Sequence, residues 1–134
     1  MKCFFMAIAG ASLIVISAIF VNSQYSDYRA KVETDNWLLR VKEIQDTIER
    51  KAIKQKSLID AGREVNKNLL QKLDLDLIEI TDSSVIILRG GRDGQVIILI
   101  PSLSGDRIVW DCIGGPEKAM PRRCKAKESL RNSD

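Results

Sequence analysis

The hydrophobic pattern changes period along the chain, and each change predicts an element. Positions Cys3–Val21 read CFFMAIAGASLIVISAIFV, without a charge. From Tyr25 to Ala61 the apolar residues become periodic. Ala30, Trp37, Val41, Ile44, Ile48, Ala52 and Ile59 recur in steps mostly of three, four or seven, the signature of one helical face. Glu33, Asp35, Arg40, Lys42, Glu43, Asp46, Glu49, Arg50 and Lys51 lie between them and read as a solvated face of mixed sign. Neither Pro nor Gly interrupts the run from Val21 to Gly62. The pattern therefore predicts one long helix, apolar in its first half and amphipathic in its second. Gly62 is expected to stop it, because glycine takes the left-handed conformation that closes helices.

Arg63 to Lys72 fits a short second helix or a loop equally well. Beyond it the period falls to two. Leu73, Leu75 and Leu77 alternate with Asp74 and Asp76, which predicts a half-buried strand with a slip, and so a bulge, at Leu77-Ile78. Thr81–Ser84 reads as a turn, Val85–Leu88 as a second strand, and Gly90–Gly94 as a hairpin loop. Val96–Ile100 is the third strand, Pro101–Gly105 a turn, and Arg107–Cys112 the fourth strand. Links this short predict an antiparallel meander. The polar stretch from Lys125 to Asp134 reads as a tail.

One amphipathic helix and one such sheet make a two-layer α+β domain. The expected division is 1–24 for the apolar half of the helix, 25–62 for the amphipathic half, and 63–134 for the sheet head. The runs VIIL and VIILI are apolar on both faces, so the outer face needs a cover. The expected cover is the loop between Cys112 and Cys124 with the tail; the alternative is another molecule.

About 20 apolar residues span the roughly 30 Å hydrocarbon core of a bilayer, so Cys3–Val21 is read as a single-pass membrane anchor. A cleaved secretory signal is the rival, with Lys2 ahead of it and Val21-Asn22-Ser23 as the cleavage site, but signal cores are shorter, about 7–15 residues. The chain has 134 residues, room for one anchor and one small domain. Its net charge of +3 favours no class of partner. It contains no His, which removes the commonest general base and metal ligand. No catalytic constellation emerges: Ser83 and Ser84 have no base, and GGRDG precedes a strand rather than a helix N-terminus, so it is not a phosphate-cradling loop. Neither an enzyme, a cofactor, a metal nor a small-molecule substrate is expected.

Of the three cysteines, Cys3 lies in the anchor. Cys112 and Cys124 suggest a disulfide in a domain on the oxidising side of the membrane. Lys118, Arg122, Arg123, Lys125, Lys127 and Arg131 crowd around Cys124. The first five form a candidate docking surface for a polyanion such as DNA, against the plainer reading of solubilising charge. No aromatic residue is interleaved for base stacking.

GQVIILIPSLSGDRIVWDC, a loop, then PRRC resembles the C-terminal part of type IV pilins. Trp110, Cys112, Pro121 and Cys124 occupy the family's Trp, first Cys, Pro and second Cys. QYSDYRAKV after an apolar helix resembles the passage where the pilin helix leaves the membrane, with Tyr25 and Tyr28 at its tyrosines. The resemblance implies a pilin-like head, a bond between Cys112 and Cys124, and pilus subunits or assembly proteins as partners. It also implies an inner-membrane location with the head in the periplasm. Aligned on the tyrosines, the family's cleavage point falls between Met1 and Lys2, its acidic position at Met6, and its helix-loosening Pro at Ser23. An atypical, unprocessed member is therefore expected: a minor pilin or a modulator of assembly. A DNA receptor using the basic loop, and an unrelated periplasmic domain with a cleaved signal, are the alternatives.

Overall fold

The computed structural model describes the backbone of residues 2–71, 73 and 75–124, and the side chains of residues 24–66, 68–71, 73 and 75–124. A single helix, α1 (Lys2–Gln55), packs across a four-stranded sheet. A five-residue helix, α2 (Lys67–Gln71), links it to β1 (Leu77–Ile80), β2 (Ile86–Gly90), β3 (Gln95–Ser104) and β4 (Arg107–Gly115). The strands pair antiparallel in sequence order, the expected meander. Two single 3-10 turns, Glu117–Ala119 and Arg122–Cys124, end the described chain.

The helical stripe is where the periodicity puts it. Ala30, Trp37, Val41, Ile44, Ile48 and Ala52 are all buried, and Thr34 and Leu38 join them. Thr34, fully buried, satisfies its hydroxyl locally by donating to the Ala30 carbonyl at 3.0 Å. Ile59 departs from the stripe and is 66% exposed. The reason is that α1 ends at Gln55, not at Gly62. Lys56 takes φ 54°, the left-handed conformation. The Lys56 amide then donates to Ile53 and the Ser57 amide to Ala52, the paired reverse bonds of a Schellman closure. The Gln55 side-chain amide donates to the carbonyls of Ser57 and Ile59, which holds the reversed chain.

Gly62 has a different task. Its amide donates to Ser84 Oγ, which donates to the Leu58 carbonyl at 2.6 Å. A Cβ at position 62 would overlap the Ile80 methyl. Glycine is needed there for close approach of the 57–65 loop to the β1–β2 turn, not to end a helix.

The first strand also differs. Leu73 is buried before the sheet begins and Leu75 is half-buried, packed over Gly90, while Leu77 is 44% exposed. Ile78 and Ile80 face the core, opposite Leu88 and Ile86. The Leu-Asp alternation thus has the wrong parity for the ladder; no bulge appears, because the strand starts at the slip. Asp76 precedes the strand and is exposed, and Asp74 lies outside the described residues. β3 runs on through the expected turn, with Pro101 opposite Trp110. The β2 ladder ends at Leu99. Beyond that point β3 has a partner on one side only, where a residue lacking an amide N–H is tolerated. The reversal falls instead at Gly105 (φ 63°) and Asp106.

The inner face is Ile86, Leu88, Ile97 and Leu99, buried under α1, with Ile108, Trp110 and Cys112 on β4 packed against them. On the other face, Ile87, Ile98 and Ile113 share one row of the sheet. The loop after β4 does not cover that row. It turns to the helix side, where Ala119 and Met120 are fully buried. On that face Ile87 and Ile98 are half-buried, and Val109 and Ile113 are exposed.

Candidate functional site

Cys112 and Cys124 are bonded, with Cα atoms 4.5 Å apart. β4 supplies Cys112 on the inner face at the sheet edge. The returning loop supplies Cys124, which is fully buried. The loop passes through Pro116, whose preceding bond is cis, and two 3-10 turns. Closure brings its cations onto α1. Lys118 Nζ stands 3.7 Å from Asp27 and 3.8 Å from Asp93, and Arg123 stands 3.7 Å from Asp35. Of the candidate docking residues, then, Lys118 and Arg123 face carboxylates of the chain itself. Arg122 is exposed, and Lys125 and Lys127 lie outside the described residues. The loop's positive charge is partly neutralised in place, so the geometry offers a polyanion less than the sequence suggests.

These pairs are half-exposed and individually weak, on the order of 0–1 kcal/mol each. What they share is position. Asp27 and Asp35 sit on the first turns of α1 whose side chains are described, and Asp93 sits in the β2–β3 hairpin. The loop therefore joins the helix to the hairpin tip. Gln95 reinforces the same junction: its side chain is fully buried, and Nε2 donates to the Ala30 carbonyl at 3.5 Å. At the far end of the sheet, Trp110 Nε1 donates to Glu49 Oε1 at 2.7 Å. Neither contact announces itself in the sequence, because each joins residues more than sixty positions apart.

The junction leaves a groove of about 590 Å³ between α1 and the hairpin, half open to solvent. Tyr25, Tyr28, Arg29 and Glu33 line it from the helix, and Arg92 and Asp93 from the hairpin. Tyr25 and Tyr28 are 58% and 64% exposed, and the Arg29 guanidinium lies 5.8 Å from the Tyr25 ring centroid. The sequence reading gave GGRDG its turn role, which holds. It missed that the turn would set Arg92 and Asp93 against the helix.

Among the described residues, no group of three or more His, Cys, Asp or Glu side chains is placed to hold a metal ion. Among them, too, no helix is long and apolar enough to cross a membrane. The stretch read as an anchor, Cys3–Val21, lies outside the described side chains. Comparison with protein-family models, with curated proteins and with solved structures finds no match to this chain.

Proposed function

We propose that the chain is a pilin-like, membrane-anchored structural or accessory component of a type IV pilus system, without catalytic activity. It would serve as an atypical minor pilin or as a modulator of assembly, seated in the bacterial inner membrane with its head in the periplasm. One observation carries the reading. A 54-residue helix, Lys2–Gln55, passes without interruption from the apolar stretch into the stripe that packs on an antiparallel meander. Such a helix is roughly 80 Å long, far more than the head needs to cover its sheet. Its second half is spoken for by the core, and its first half carries the uncharged sequence suited to a bilayer. The disulfide between Cys112 and Cys124 supports an oxidising location for the head, and Trp110 and the closed loop agree with the pilin-like sequence pattern.

The test is biochemical. The protein recovered from cells should have the intact mass of the full chain, resist carbonate extraction, and copurify with pilus subunits or assembly proteins. A mass beginning near Gln24 would support a cleaved signal instead, and a chain found with neither membrane nor pilus fractions would end the proposal.

A further inference from the structure

We infer that the groove between α1 and the β2–β3 hairpin binds the headgroup of a zwitterionic phospholipid, a phosphoethanolamine. Arg29 and Arg92 hold the phosphate and Glu33 holds the ammonium. The inference rests on the reading that Cys3–Val21 lies in the membrane, and adds to it a specific contact with lipid.

Height comes first. At 1.5 Å per residue, Tyr25 lies about 6 Å beyond Val21 along the helix. A headgroup layer is about 5–8 Å thick on each side of the hydrocarbon core. Tyr25 therefore falls in that layer, where amphipathic aromatic rings settle. Arg29 starts one turn further out, but helical side chains lean toward the N-terminus. Its guanidinium lies 5.8 Å from the Tyr25 ring centroid, which returns the charge to headgroup level. The hairpin brings Arg92 to the same groove from the sheet.

Charge balance selects the headgroup. Asp27 and Asp93 both face Lys118. Among the described residues, Arg29, Arg92 and Glu33 form no ion pair, although Arg29 and Glu33 are one turn apart on the helix. Two guanidiniums without carboxylate partners suit a phosphate, which they can bind in a planar fork. A carboxylate one turn further from the membrane suits an ammonium. That order along the helix is the order along the headgroup: phosphate next to the glycerol, amine outermost. A purely anionic headgroup would satisfy the arginines but set its remaining oxygens against Glu33. The groove volume, about 590 Å³, is within the range of small-ligand sites, roughly 300–1,000 Å³.

The test uses the full chain, isotopically labelled, in maltoside micelles, which carry neither phosphate nor amine. Phosphatidylethanolamine, phosphatidylglycerol and inorganic phosphate are titrated separately, and the Arg29 and Arg92 side-chain resonances are followed. Phosphatidylethanolamine should give saturable shifts at both. Arg29→Ala or Arg92→Ala should weaken its apparent affinity by about tenfold, on the scale of one lost charge-assisted contact. Glu33→Gln should abolish the preference, so that phosphatidylethanolamine and phosphatidylglycerol bind the variant alike. Lys31→Ala removes the same charge from an exposed neighbour that does not line the groove, and should change nothing. The inference is overturned if Lys31→Ala weakens binding as much as Arg92→Ala does, which would mean diffuse surface attraction. It is also overturned if phosphatidylglycerol binds the native chain as tightly, or if inorganic phosphate reproduces the shifts, the mark of a soluble anion site. Carbonate extraction judges the anchor separately. A chain that washes from membranes yet binds phosphatidylethanolamine in micelles keeps the groove and loses the anchor. A chain that stays in membranes and shows no saturable shift keeps the anchor and loses the groove.

Discussion

Replacing Cys112 and Cys124 together by Ala should weaken the head more than any single surface change. The bond closes a 12-residue separation, and a loop of that size stabilises by about 3 kcal/mol when the unfolded chain is the state it restrains. Other terms follow the bond. Lys118 and Arg123 face Asp27, Asp93 and Asp35 at 3.7–3.8 Å, but such exposed pairs add at most about 1 kcal/mol each. Ala119 and Met120 are fully buried against the helix, and a freed loop would hold them there less firmly. A total loss of about 3–4 kcal/mol is expected, a large share of the roughly 5–15 kcal/mol typical of a folded domain. The assay is urea unfolding of the full chain in maltoside micelles, followed by far-ultraviolet circular dichroism, for the native protein, its reduced form and the double variant. Reduced and double-variant proteins should lose stability by similar amounts, the midpoint falling and the slope rising slightly as the unrestrained unfolded chain exposes more surface. A loss under 1 kcal/mol would refute the reasoning. So would free thiols at both Cys112 and Cys124 in protein isolated under oxidising conditions.

Three further outcomes follow from the packing. Ile44 is 1% exposed in the middle of the stripe, so Ile44→Ala should cost about 2–5 kcal/mol; an unchanged melting temperature would place the stripe outside the core. Lys56 holds φ 54° at the close of α1, so Lys56→Gly should stabilise by about 0.5–1 kcal/mol, the relief of left-handed strain less the entropy that glycine adds to the unfolded chain; a loss in the same urea assay would count against the Schellman closure. Gln95 is fully buried, its Oε1 has no hydrogen-bond partner among the described residues and its Nε2 bond to Ala30 is long at 3.5 Å, so Gln95→Met, close in volume, should leave stability unchanged or raise it by up to about 1 kcal/mol; a clear loss instead would show that the bond to Ala30 outweighs the unpaired oxygen.

What the sequence made legible was what local chemistry decides. Val41, Ile44 and Ile48 share a helical face whatever surrounds them, so their burial could be read from spacing alone. Gly91 and Gly94, both at positive φ, marked a turn because few other residues take that conformation. Misreadings arose where a tertiary contact decided between local options. LDLDL alternates well enough for a strand, yet the ladder takes Ile78 and Ile80, because those face Leu88 and Ile86. Gly62 looked like a helix stop, yet Lys56 bears the left-handed turn and Gly62 makes room for Ile80. Pro101 looked like a turn, yet the neighbouring ladder stops short of it and leaves its missing N–H unneeded. The basic loop was visible as composition. Its carboxylate partners were not, since Asp27, Asp35 and Asp93 are brought to it by folding.

The contacts that spacing could not reveal fall at two ends of the amphipathic half of the helix and fix the head to it as one body. At one end stand Lys118 with Asp27, Arg123 with Asp35, and Gln95 with the Ala30 carbonyl. At the other, Trp110 donates to Glu49, and Ile48 and Ile80 close around Gly62. Between them the core stripe is continuous from Ala30 to Ala52. A helix half gripped at both its ends and along its length cannot swing on the sheet without opening the core, at a cost of about 1.5–3 kcal/mol per exposed large side chain. The direction of α1 therefore sets the direction of the head. If the apolar half stands in a bilayer, the β2–β3 hairpin, packed beside Ala30, is held on the membrane side, while the β3–β4 reversal at Gly105 and Asp106 lies beyond the Trp110–Glu49 contact, away from it. The outer row Ile87, Ile98 and Ile113 then faces sideways, parallel to the membrane, at a height fixed by the helix.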